Sequence, residues 1–129
     1  MLTISILAAV AAFIHILFFA MESLFWMKPA VRKIFRRTEA EAETTRLMAL
    51  NQGYYNLFLA VATIAAIWLW HTAHVPEAVA IFTVTLGSMV AAALVLLFSA
   101  GTAMLRGVLL QGLIPAICLA LIWRPAGWF

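Results

Sequence analysis

Two ionisable side chains, His15 and Glu22, lie within the first apolar stretch of this 129-residue chain. Seven residues turn a helix through about 700°, so the pair falls nearly on one face, about 10 Å apart along the axis. In hydrocarbon a carboxylate costs several kcal/mol. Glu22 must therefore be paired, protonated or hydrated there. His15 has a plainer competing role as a satisfied core histidine. A second polar set, Asn51, Gln52, Tyr54, Tyr55 and Asn56, opens another apolar run. On a helical projection Asn51, Gln52, Tyr55 and Asn56 fall within about 140°, and Ala62, Thr63 and Ala66 continue that arc with small side chains. Ser99, Thr102 and Gln111 complete the inventory. Amides and hydroxyls so placed either bond neighbouring helices together, worth about 0.6–2 kcal/mol each, or line a cavity.

Depth can be counted from the nearest cations. Glu22 lies six residues from Lys28, Asn51 five from Arg46, and Gln111 five from Arg106. At about 1.5 Å per residue each sits roughly 8–9 Å inside its anchor. Asn56 and His15 lie deeper. Polar groups from all four runs thus gather in one half of the span, and a polar cavity opening on the cation-rich side is the expectation.

The elements that must position these groups are read from charge. Uncharged apolar stretches cover residues 2–21, 47–70, 78–105 and 107–123. Roughly 20 helical residues cross a hydrocarbon core about 30 Å thick. The expectation is an all-α protein, a four-transmembrane-helix bundle with helices about 2–27, 44–70, 78–105 and 107–123, forming one integral membrane domain over residues 1–129. Strict alternation is absent, which argues against a β-barrel. Composition agrees: 67% of residues are hydrophobic and 10% charged, against roughly 45–50% and 25% in soluble domains. So small a soluble fold could not hide that much apolar surface. One cysteine, Cys118, excludes an intrachain disulfide and a cysteine-based zinc site. No Lys or Arg precedes Lys28, so the first run reads as a retained helix rather than a secretory signal.

Orientation follows from the cations. Lys28, Arg32, Lys33, Arg36, Arg37 and Arg46 fall between helices one and two, and Arg106 between three and four; only Arg124 falls on the other side. That split predicts both termini outside and a cytoplasmic loop between helices one and two. Trp68, Trp70, Trp123 and Trp128 would then form an outer aromatic belt. The excess positive charge is confined to one loop, so no nucleic-acid partner is expected. Within that loop, residues 31–37 alternate apolar and basic and suit a short helix on anionic headgroups. Thr38 and Glu41 have the spacing of a capping box, and Glu39, Glu41 and Glu43 load the following first turns with the charge a helix dipole favours.

Other spacings carry less. His71, His74 and Glu77 resemble a ligand set, but Pro76 interrupts the helix it would need, so no metal is expected. Ala8 with Ala12, Gly87 with Ala91, and Gly112 with Ala116 are small pairs that let helices approach. Phosphate loops and nucleophile–base pairs are missing, and the two halves of the chain do not read as an inverted repeat. The residues name no cofactor and no reaction.

Three segments, Met21-Glu22-Ser-Leu-Phe25, Asn51-Gln52-Gly53-Tyr-Tyr55-Asn56 and Gln111-Gly-Leu-Ile-Pro115-Ala116, resemble the small bacterial family called domain of unknown function 1304. The likeness covers essentially the whole chain, and the Asn-Gln-Gly-x-Tyr-Asn element is its most specific part. It implies a four-helix inner-membrane protein and puts Glu22, Asn51, Gln52, Tyr55, Asn56 and Gln111 in the family motifs; His15 matches none. From these residues the expected function is binding or processing of a lipophilic small molecule with a polar head, in a cytoplasm-facing polar cavity lined by Glu22, Asn51, Gln52, Tyr55, Asn56, Gln111 and His15. A proton-coupled exporter using Glu22 as carrier and a structural or accessory membrane subunit are the alternatives. The expected setting is the bacterial inner membrane, multi-pass among membrane lipids, as a homo-oligomer (dimer or trimer).

Overall fold

The computed structural model describes residues 1–124, and every regular element among them is helical. Helix α1 (Leu2–Phe19) runs on into a single π turn, Ala20–Leu24, closed by the Phe25 N–H on the Ala20 carbonyl at 3.0 Å. The expected helix 2–27 therefore ends early. Lys28 is extended, as a residue preceding proline tends to be, and Pro29 opens α2 (Pro29–Ile34), where a missing N–H costs nothing. Helix α3 (Glu39–Thr44) begins at the Thr38 box: the Glu41 N–H donates to Thr38 Oγ1, and the Thr38 N–H returns to Glu41 Oε2 at 2.8 Å. Helix α4 (Arg46–His71) follows at once.

A three-residue link with Ala73 at φ 63° leads to α5 (Val75–Ala100). Pro76 falls in its first turn and does not break it, so α5 starts before the expected residue 78. It stops at Gly101, whose φ of 61° and ψ of −155° suit a residue without Cβ. After a short 3₁₀ turn, Gly101–Met104, helix α6 (Leu105–Ile122) returns along α5.

Helix α1 packs on α4 and α6, and α5 packs on the same two. Ser5 Oγ lies 2.8 Å from His71 Nε2, joining the start of α1 to the end of α4. Trp123 Nε1 donates to Thr83 Oγ1 at 3.1 Å, joining the end of α6 to the start of α5. Neighbours are thus antiparallel. The main core, around Ile4, Ala8, Ala66, Trp70, Phe82 and Met89, fills the half nearest the chain's start. Trp70 belongs to this core rather than to a belt: it is buried, with its ring 6.0 Å from Phe82. Trp68 and Trp123 are exposed, and Trp128 lies outside the described residues.

The outer surface is strongly apolar. Phe98 is 84% exposed, and Phe58, Val61, Val84 and Val95 are also mostly bare. Soluble proteins seldom leave such surface open. Three segments, Leu2–Leu24, Arg46–His71 and the folded-back Val75–Ile122, are long and apolar enough to cross a membrane.

Candidate functional site

Glu22 sits on the π turn rather than on regular helix. Such turns are rare and recur at functional sites. The wider turn aims Glu22 at α4, where Asn56 Nδ2 donates to Glu22 Oε2 at 2.7 Å. Asn56 is buried, while Glu22 is half-buried. One residue on, Ser23 Oγ donates to the Leu50 carbonyl at 3.0 Å. Gly53 makes both bonds reachable. A Cβ there would collide with Ser23 Oγ and stand 3.1 Å from the Phe19 carbonyl, so only hydrogen lets α4 come this close.

Beside this seam opens a cavity of about 440 Å³. Glu22 and Ser23 line it. Leu24, Trp26, Met27, Leu47 and Leu50 form apolar walls, and Glu43, Thr44 and Arg46 stand at the rim. Its size is within the range of small-molecule sites, about 300–1,000 Å³. Trp26 is a fixed wall: its Nε1 donates to the Ala42 carbonyl at 2.9 Å, and its ring meets Phe35 edge-on at 5.1 Å. With Val31, Ala42 and Ala49 it forms a small second core that folds the 28–45 segment onto the end of α1. Arg32 steadies the segment through Glu39 at 3.2 Å. At the rim Arg46 and Glu43 stand 3.9 Å apart and largely exposed, a loose pair worth little in energy. Glu41, in the capping box, is held below the ordinary carboxylate range by the Thr38 N–H and then the Thr38 hydroxyl.

Of the residues singled out in the sequence, the structure joins Glu22 and Asn56. Asn51, Gln52 and Tyr55 are exposed, and Tyr55 meets Phe58 edge-on at 6.4 Å. The face of α4 turned inward runs through Ala49, Gly53, Asn56, Ala60, Thr63 and Ala66, so the expected arc meets it at Asn56, Thr63 and Ala66, while Asn51, Gln52 and Tyr55 turn away. Gln111 is half-buried on α6, one turn before Pro115, which has no N–H to return to the Gln111 carbonyl. His15 is sealed in the bundle. Its Nδ1 donates to the Ala11 carbonyl at 2.9 Å, its ring meets Phe18 at 5.8 Å, and Nε2 has no partner among the described residues. It does not line the cavity. His71 and His74, read above as a weak ligand pair, bond Ser5 and the Thr72 carbonyl. Sequence reasoning passed over Ser23, Trp26, Leu47 and Leu50; Ser23 and Gly53 stood inside the quoted motifs, and their seam was the available signal.

The described residues are all-helical, with segments long and apolar enough to cross a membrane and a carboxylate–amide pair beside a cavity. The chain belongs to the family described as Protein of unknown function (DUF1304), whose model matches residues 9–123. That match takes in the π turn, the inward face of α4 and Gln111. No curated protein and no solved structure matches the chain.

Proposed function

We infer that this protein is a four-pass inner-membrane protein that binds a lipophilic small molecule with a polar head in the Glu22 cavity, from the cytoplasmic side. The observation that carries the reading is the carboxylate itself. Glu22 is held on a π turn by one amide donor, and it lines a cavity whose surface is about equally polar and apolar, the apolar part coming from Leu24, Trp26, Met27, Leu47 and Leu50. An intramembrane ionisable residue marks a functional site by default. Four crossings follow if Val75–Ile122 turns back at Gly101–Met104 in the membrane frame, and the cation-rich 28–46 segment supports a cytoplasmic side for that loop with both termini outside. Self-association suits the outward face of α5. A Cβ on Gly87 would meet nothing within 4 Å, so the face is open to a second copy.

Asn51, Gln52 and Tyr55 are exposed on α4 and Gln111 is on α6, none of them lining the cavity, and they serve the ligand only if it extends beyond the cavity or the copies pair there. The test is photolabelling in nanodiscs with a diazirine-bearing decanol. Saturable labelling concentrated on residues 24–27 and 47–50 is expected. Labelling spread equally over lipid-facing Phe58 and Val95 would end the cavity reading.

A further inference from the structure

The reading above leaves the head of the ligand unspecified, and the charges around the cavity define it. Three formally charged side chains line the space: Glu22, Glu43 and Arg46. Two of them face each other across the rim, Glu43 Oε1 and Arg46 Nη1 at 3.9 Å. Glu22 is left as the charge with no cationic partner, since among the described residues no ion pair reaches it. Its bond to Asn56 uses Oε2 alone. The neighbouring hydroxyl, Ser23 Oγ, is spent on the Leu50 carbonyl and has no proton left to offer Oε1.

The walls limit the rest of the ligand. Leu24, Leu47 and Leu50 line the cavity and are 60%, 71% and 38% exposed, so the apolar side of the rim continues onto the outer surface. A tail can lie over these three residues and continue among lipid chains while its head remains inside. The Trp26 indole, held by Ala42, also lines the cavity, and an indole ring attracts cations. An anionic head would meet Glu22 unopposed. A neutral head would leave an ionised Glu22 without a counter-charge.

We propose that the Glu22 cavity binds a single-chain amphiphile with a cationic amine or ammonium head, the head beside Glu22 and the tail leaving over Leu24, Leu47 and Leu50. The proposal deepens the cavity reading and rests on it. Three probes with the same tail separate the two: decyltrimethylammonium, decyl sulfate and decanol, each radiolabelled, below micellar concentration, on the purified protein in zwitterionic nanodiscs. The ammonium probe should bind at least tenfold more tightly than the sulfate. Glu22→Gln can still accept from Asn56; it should remove that preference, lowering ammonium affinity by a clearly larger factor than decanol affinity. Where Glu22→Gln yields no folded protein, Glu22→Asp serves, and should lower ammonium affinity more than decanol affinity. Equal or tighter sulfate binding overturns the cationic head, as does ammonium binding that the Glu22 variants leave unchanged. If Leu50→Trp, which fills the cavity, nevertheless abolishes decanol binding in that case, the cavity reading survives without the proposal. Binding by none of the three probes, or binding that Leu50→Trp does not touch, overturns both.

Discussion

Placing one methyl group at Gly53 should loosen the seam that aims Glu22. The new Cβ collides with Ser23 Oγ and stands 3.1 Å from both the Phe19 carbonyl and Ser23 Cβ. The carbonyl belongs to the backbone where α1 passes into the π turn, so it cannot rotate away. Overpacking of this kind costs about 1–3 kcal/mol. Displacing Ser23 also gives up its bond to the Leu50 carbonyl, worth about 0.6 kcal/mol in a membrane bundle. Alanine returns about 1 kcal/mol over glycine in helix propensity. The net expectation for Gly53→Ala is a loss of about 0.6–2.6 kcal/mol, or a fall in melting temperature of roughly 2–10 °C for a domain this size. Thermal unfolding in detergent, followed by intrinsic fluorescence, measures it. Ser23→Gly removes both the hydroxyl and its Cβ, so the double variant should recover most of the loss. A Gly53→Ala protein as stable as the parent, or one that Ser23→Gly does not help, would refute the close approach.

Asn56→Ala strips Glu22 of its donor and should destabilise by about 1–3 kcal/mol, whereas Glu22→Gln should cost less because a carboxamide oxygen still accepts from Asn56; unfolding free energies of the two variants decide. Glu41 has its pKa lowered in the fold by Thr38, so the capping box adds stability above the ordinary carboxylate value of 4.5 and loses it as pH falls through the lowered one. Thr38→Ala removes the Oγ1 cap on the Glu41 N–H at every pH and the hydroxyl bond to the Glu41 carboxylate only where it is ionised, so it should lower the melting temperature throughout a pH series of melts, and by more at pH 7 than once Glu41 is protonated. Cysteines placed at Arg36 and at Thr72 should be labelled from opposite sides of the membrane, Arg36 from the cytoplasm; periplasmic labelling of the Arg36 position reverses the topology. Gly87→Leu should shift the mass measured in nanodiscs toward monomer, and a parent protein found only as monomer removes the self-association claim.

Local signals in the sequence translated directly into structure. Thr38 and Glu41, three residues apart, form the box their types dictate. Counting residues from Lys28 placed Glu22 at one end of the first span, and the same counting put Asn56 deeper on the next. Their bond needed one further fact that counting does not supply, the rotation of α4 about its axis. In a soluble helix that rotation is written in the contrast between apolar and polar faces. Here the inward residues Ala49, Ala60 and Ala66 are no more apolar than the exposed Phe58 and Val61, because lipid accepts what a core accepts. The polar cluster at 51–56 therefore drew the eye to the wrong side of the helix, while size was the better guide: Gly53 marks the contact. Trp70 misled for a related reason, since an indole near a helix end is equally at home in an interface or in a core. The π turn was illegible because an i→i+5 bond has no residue signature of its own.

That turn also takes up an extra residue within the first span. A π turn holds one residue more than the α turn it replaces, and each residue of an α-helix carries about 100° of rotation. Deleting one residue between Ala20 and Leu24 would let the α1 backbone run on as regular helix. Everything beyond it, Trp26 and the 28–45 segment included, would keep nearly the same facing, and what is lost is the aim of Glu22 and Ser23 at α4. Loss of a single codon at this place is thus absorbed by the backbone, whereas the same loss inside α1, which holds no extra residue, would turn everything beyond it by about 100°.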